Sequence, residues 1–203
     1  MSENPALIMV MIAGGAYLFH LWWGDLRANC SGSPNPRAFP GATPCSAQVL
    51  VLAVAGTLLL LGIETGGEAL LGISDEQKSL TVLFSVYTLV AAFLEELAFR
   101  GYLVVTKHGK AALWGSVFVF SLLFALAHPF LWEWSDGALT LHFTTKAWFS
   151  TTMLFLGSLW FYVLRFLPLN PTRSLLPCIA AHFAKNLGVF AIKAAGGFVS
   201  GWL

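Results

Sequence analysis

Charge is scarce in this chain. Of its 203 residues only 10% are Asp, Glu, Lys or Arg, where a soluble domain carries roughly 25%. A soluble protein of this size could not cover its surface with so few charges, which excludes a soluble enzyme, a disordered chain and a fibrous repeat. An excess of either sign is also missing. Eleven Lys and Arg against ten Asp and Glu leave a net charge of +1, so there is no electrostatic footprint for nucleic acid. Cysteine is short as well: three residues form neither a disulfide framework nor a metal cluster, since Cys30 and Cys45 share one loop and Cys178 lies in an apolar segment. The N-terminus has no basic region before its apolar run and no small-residue cleavage site after it. The first hydrophobic stretch is therefore expected to stay as a membrane helix.

What the chain has is apolar surface. Hydrophobic residues make up 57% and aromatic residues 14%, and the mean hydropathy is +0.74. A bilayer core about 30 Å thick needs roughly 20 apolar residues per helix. On that ruler six spans are expected: 5–23, 47–63, 80–105, 111–128, 146–166 and 175–192. The expected fold is all-α, a polytopic transmembrane helical bundle with a polar cavity inside it. It forms a single integral membrane domain over 1–203, with the chemistry concentrated at about 80–192. The connections fit this reading. Residues 25–46 are rich in Gly, Pro, Ser and Asn, and 62–79 are polar and acidic, with Glu64, Glu68, Asp75 and Glu76. Segment 129–145 mixes Trp132 and Trp134 with Glu133 and Asp136, which predicts a surface-lying segment at headgroup level. Residues 167–174 form a short turn.

Orientation follows from the Lys/Arg asymmetry. Arg27, Arg37, Lys107, Lys110, Arg165 and Arg173 lie on the odd loops, against Lys78 and Lys146 on the other side. This predicts odd loops in the cytoplasm and both termini outside. A Cys30–Cys45 disulfide would argue for the inverse, but the charge count is the stronger signal.

Ionisable side chains inside a bilayer cost about 2.5–3.5 kcal/mol each even on lenient insertion scales, so each one needs a reason. The third span carries Glu95, Glu96 and Arg100. Glu96 and Arg100 are i and i+4 with the acid N-terminal, the better order for an ion pair on a helix. Glu95 lies about 100° further round, so it is left largely without the arginine and suits a general base. The fourth span ends with Phe124 and His128 on one face, so the ring can wall the imidazole against lipid. The sixth places His182 and Asn186 one turn apart, two neutral donors of the kind that stabilise a developing oxyanion. Taken singly, each has a plain structural reading: a packing pair, an interfacial histidine, interhelical hydrogen bonding. Their conjunction on three helices points to a common site.

In this order, Glu95-Glu96-x-x-x-Arg100, Phe124-x-x-x-His128 and His182-x-x-x-Asn186 resemble the CAAX protease and bacteriocin-processing family of intramembrane proteases, which includes the prenyl-protein endopeptidases. The resemblance spans 93–187. It implies a glutamate-dependent peptide-bond hydrolase within an α-helical bundle. The protein is expected in the plasma membrane of a prokaryote, and with the Lys/Arg asymmetry its site is expected to open toward the cytoplasm. Glu95 and His128 would activate water, His182 and Asn186 would form the oxyanion hole, and Glu96 and Arg100, with Phe124, would support the site. The implied partner is a membrane-anchored or lipid-modified protein cut near its C-terminus. Prenyl-processing members have more spans than six, so C-terminal anchor trimming and bacteriocin immunity stay open beside prenyl processing.

Two His and a Glu could ligate zinc. However, there is no His-Glu-x-x-His helix and Asn186 is a poor ligand, so no cofactor is expected and zinc is the lesser alternative. Two non-proteolytic readings also stand: a peptide-binding immunity or scaffold protein, and a small transporter relaying protons through Glu95 and His128. The remaining polar residues read plainly. His20, Trp22, Trp23, Trp132, Trp134 and His142 are expected to be interfacial anchors, and Lys185 and Lys193 are read as snorkelling toward a headgroup, although Lys185 lies deep and this gives no firm account of it. Gly14-Gly15 would allow close helix approach.

Overall fold

The computed structural model describes residues 4–135 and 137–203; Asp136, one of the acids read in segment 129–145, lies outside them. Six helices dominate: α1 (Pro5–Cys30), α2 (Ala47–Leu70), α3 (Val82–Glu95), α4 (Gly109–Ala127), α5 (Thr145–Phe166) and α6 (Leu176–Ala195). A π-helical segment, Glu96–Tyr102, continues α3 directly, and two short strands, β1 (Trp132–Ser135) and β2 (Ala138–Leu141), separate α4 from α5. Helix starts are set by short polar side chains, which accept from the otherwise unsatisfied first-turn N–H groups. Asn4 caps α1, Ser46 caps α2, Thr81 caps α3 and Thr144 caps α5.

Among the described residues five helices are long and apolar enough to cross a membrane: α1, α2, α3 with its π-helical continuation, α4 and α5. This is a multi-pass membrane bundle. The sixth expected span, α6, is not one of the five; it carries His182, Lys185, Asn186 and Lys193, and it packs against α2, α3 and α5.

Close approach between helices rests on small residues. A Cβ on Gly15 would come within 2.1 Å of Val90, so α1 and α3 meet there, whereas Gly14 has nothing within 4 Å. Gly188 admits Leu61 of α2 in the same way, and Gly56 admits the Trp160 ring of α5. The buried core gathers Trp22, Phe93, Leu97, Phe161, Leu175 and Ile179 around the α1–α3–α5–α6 contact.

Several expectations are corrected. Trp22 is fully buried, its ring 6.0 Å from that of Phe93 and its Nε1 donating to the Pro40 carbonyl at 3.2 Å. It is a core residue and not an interfacial anchor. α2 runs through the acidic stretch expected to be a connection, because Glu64 finds Lys185 of α6 at 3.0 Å and Glu68 pairs with Lys146 of α5. Those partners also explain the deep Lys185. α1 likewise continues to Cys30 instead of stopping near Trp23. The three cysteines are free thiols, so Cys30 and Cys45 form no disulfide.

Two devices fix the helices that carry the motifs. The fully enclosed Asn170 donates through Nδ2 to the Leu164 and Ser174 carbonyls, at 3.0 and 2.9 Å, and accepts from Ser174 N, which sets where α6 begins. At the start of α3, the amides of Val82 and Leu83 donate to the Gly201 and Trp202 carbonyls at 2.9 and 3.1 Å, while Phe84 N is taken by Thr81. The C-terminal residues thereby satisfy donors that a helix start leaves open.

Candidate active site

The α-helical pattern of α3 stops at Glu95, and the next seven residues, Glu96–Tyr102, form a π-helical turn. Such a turn is wide, and it displaces side chains from their α-helical positions, which is why it recurs at functional sites. It also releases backbone carbonyls from the α pattern. The Tyr162 hydroxyl of α5 lies 2.7 Å from the Phe99 carbonyl, to which it donates, and 3.0 Å from that of Leu103.

Within this turn Glu96 and Arg100 are both fully buried, with Arg100 Nη1 donating to Glu96 Oε1 at 3.1 Å. Arg100 Nη2 donates to the hydroxyl of Ser158 at 2.6 Å. Aromatic faces enclose the guanidinium: Phe124 at 4.6 Å, Tyr162 at 4.9 Å and Phe161 at 5.2 Å. A buried arginine with a carboxylate, a hydroxyl and aromatic rings around it is a compensated charge.

His182 of α6 connects the two glutamates. Its Nδ1 is 2.8 Å from Glu96 Oε1, and its Nε2 is 3.7 Å from Glu95 Oε2. A carboxylate paired with arginine only accepts, so Nδ1 carries the hydrogen that points at Glu96. In a neutral ring Nε2 then holds a lone pair, so His182 is not the neutral donor that its spacing with Asn186 suggested; Nε2 donates only in the doubly protonated ring, and the neighbouring carboxyl is Glu95. The two glutamates differ as the helix faces predicted: the Glu95 side chain is 32% exposed and that of Glu96 is 0%.

His128 is the residue just after α4. Its Nδ1 is 2.8 Å from the Phe124 carbonyl, so that nitrogen is the donor and Nε2 is left as acceptor. The Phe124 ring packs on it at 4.8 Å between centroids and reaches His182 at 6.2 Å. The ring packs on His128 as expected, but it faces inward: it is buried between the two imidazoles and against Arg100, not set as a wall against lipid. Asn186 stands one turn beyond His182 and gives one amide hydrogen to the Thr88 carbonyl at 2.9 Å; its second amide hydrogen has no partner among the described residues. Direct contacts therefore join Glu95, Glu96, Arg100 and His182. His128 is attached through Phe124, and Asn186 through α6 and Thr88.

Sequence reasoning did not single out Ser158, Tyr162, Phe161 or Thr88. The first three share one face of α5 at helical spacing, but nothing in an apolar run says which face meets Arg100. Asn186 also lines, with Val86, Leu89 and Phe190, an apolar groove of about 100 Å³ between α3 and α6. A second, more polar cleft of about 60 Å³ lies between α2 and α6, lined by Glu64, Glu68, Gln77 and Lys193. Among the described residues no group of three or more His, Cys, Asp or Glu is placed to hold a metal ion.

Residues 77–188 match the family model of the Rce1-like type II CAAX prenyl endopeptidases, a stretch that contains every motif residue from Glu95 to Asn186. No curated protein and no solved structure matches the chain. With more than half of its length in that match, and three motifs that its helices bring to one region of a membrane bundle, the chain belongs to the Rce1-like family of type II CAAX prenyl endopeptidases.

Proposed function

We propose that this protein is an intramembrane endopeptidase that hydrolyses a peptide bond near the C-terminus of a membrane-anchored or lipid-modified protein, using water activated by Glu95. The observation that carries this reading is the bridge by His182 between a buried, arginine-paired Glu96 and a more exposed Glu95. One carboxylate is spent on structure, and its neighbour is left for chemistry. Glu95, assisted by the Nε2 lone pair of His128, takes a proton from water as the oxygen attacks the carbonyl carbon. The oxyanion is met by the remaining amide hydrogen of Asn186 and by His182 Nε2 in its protonated form. When the C–N bond breaks, the proton held at Glu95 goes to the leaving amine. Glu96, Arg100 and Phe124 keep His182 and His128 in place. The mechanism uses no metal. We place the protein in a prokaryotic plasma membrane with the site toward the cytoplasm, in accord with the excess of Lys and Arg on the odd loops.

The test uses purified protein in lipid with candidate membrane-anchored peptides, comparing wild type with Glu95→Ala and His182→Ala, each with and without a chelator. Cleavage by wild type alone, unaffected by the chelator, is the expected result. Loss of cleavage with the chelator would replace the metal-free mechanism with a zinc site. Cleavage that persists in both variants would overturn the assignment of Glu95 and His182.

A further inference from the structure

Between α4 and α5 the expected surface segment is an antiparallel hairpin, paired as Trp132 with Leu141, Glu133 with Thr140, Trp134 with Leu139 and Ser135 with Ala138. Gly137, at φ +76°, closes its turn. Because side chains alternate across a strand, this register gathers Trp132, Trp134, Leu139 and Leu141 on one face. Glu133, Thr140, Ser135 and Ala138 fall on the other, where Glu133 Oε2 meets His142 Nε2 at 3.5 Å. The apolar face is uncovered: Trp134 is 65% exposed, Leu139 56% and Leu141 57%.

We propose that this hairpin is a bilayer anchor whose Trp132–Trp134–Leu139–Leu141 face lies in the interfacial layer of the lipid membrane. Three observations choose lipid as the occupant. The hairpin joins two helices long and apolar enough to cross a membrane, which puts it at the level where those spans leave the bilayer. A two-stranded hairpin has open backbone edges that hydrocarbon cannot satisfy, which keeps it out of the bilayer core and leaves the headgroup layer. Its face carries two tryptophans, the residue type that favours that layer, having an apolar body and a polar N–H. Trp132 further ties the hairpin to the bundle: its Nε1 donates to the Leu126 carbonyl at 2.7 Å, in the last turn of α4, two residues before His128. The anchor thus holds the helix end that presents His128.

The test places an environment-sensitive fluorophore at Leu139→Cys or Thr140→Cys in the full chain with Cys30→Ser and Cys45→Ser, in phosphatidylcholine nanodiscs. Quenchers are aqueous iodide and lipids spin-labelled near the headgroup. The Leu139 probe should be blue-shifted, protected from iodide and quenched by the labelled lipid, and the Thr140 probe should behave in the opposite way. Both probes open to iodide would place the hairpin in water and overturn the proposal. A Leu139 probe shielded from both quenchers would mean that protein covers the face, which also overturns it. As a check without introduced cysteines, Trp134→Phe should lower the share of tryptophan emission quenched by brominated lipid. An unchanged share would count against the anchor.

Discussion

At the scale of single residues, two adjacent glutamates with the same chemistry have different surroundings. Glu96 is enclosed with Arg100 and His182, so Glu96→Gln leaves a buried guanidinium uncompensated. Removing one member of such a pair costs about 3–5 kcal/mol. Glu95 is partly exposed and makes no contact shorter than 3.7 Å with His182, so Glu95→Gln should change stability by about 0.5 kcal/mol or less. Unfolding of both variants in mixed micelles measures this directly, and equal losses would refute the division of labour. The helix-face argument anticipated that division, because an i,i+4 relation is local. It did not anticipate His182 between the carboxylates, because that contact joins residues 86 positions apart. The cysteines supply a second test. Burial pushes the Cys45 thiol above its ordinary pKa, offset in part by the Ser174 hydroxyl, whereas Cys30 is exposed and Cys178 is buried. Maleimide labelling at mildly alkaline pH should therefore modify Cys30 first, Cys45 more slowly and Cys178 last, with no disulfide-linked peptide in the digest.

At the scale of elements, the π-helical turn is the feature that sequence periodicity could not show. Its residues, from Glu96 to Tyr102, include a glutamate, an arginine and a glycine, and the i,i+4 spacing of the charged pair reads equally well as ordinary α-helix. What supports the wider turn comes from α5, where Tyr162 donates to a carbonyl that the turn releases. Tyr162→Phe should cost about 1–3 kcal/mol, the penalty for stranding a buried polar group. A variant as stable as wild type would show that the turn does not depend on that hydroxyl. The glycine pair in α1 divides in the same physical terms. Gly15→Ala pushes a methyl into Val90 and should destabilise by about 1–3 kcal/mol, whereas Gly14→Ala meets nothing and should be neutral. Sequence inspection could name both glycines; only the packing of α1 on α3 tells them apart.

At the scale of the whole molecule, charge pairs that are distant in sequence decide where helices end. α2 continues past the point where its apolar run stops because Glu64 and Glu68 meet lysines of α6 and α5. A double-mutant cycle on Glu64→Gln and Lys185→Met should give a coupling of about 0.5–3 kcal/mol. Strict additivity of the two losses would mean that the pair is incidental. The Glu64–Lys185 pair joins α6 to α2, beside the apolar contacts of Cys178, Ile179 and Ala181. α6 carries His182 and Asn186, and it is not one of the helices long and apolar enough to cross a membrane.

By itself the sequence determined the membrane class, the positions of six helices to within a few residues at most ends, and the local Glu96–Arg100 pair. Hydrophobic runs, N-capping side chains and i,i+4 spacing are all short-range signals. The tertiary structure alone decided that Trp22 is core, that α2 keeps its acidic turns, that the tryptophan-bearing segment is a hairpin, and that His182 stands between two glutamates. Each of these rests on a partner far along the chain, and a side chain's own residue type does not say which distant partner it will meet.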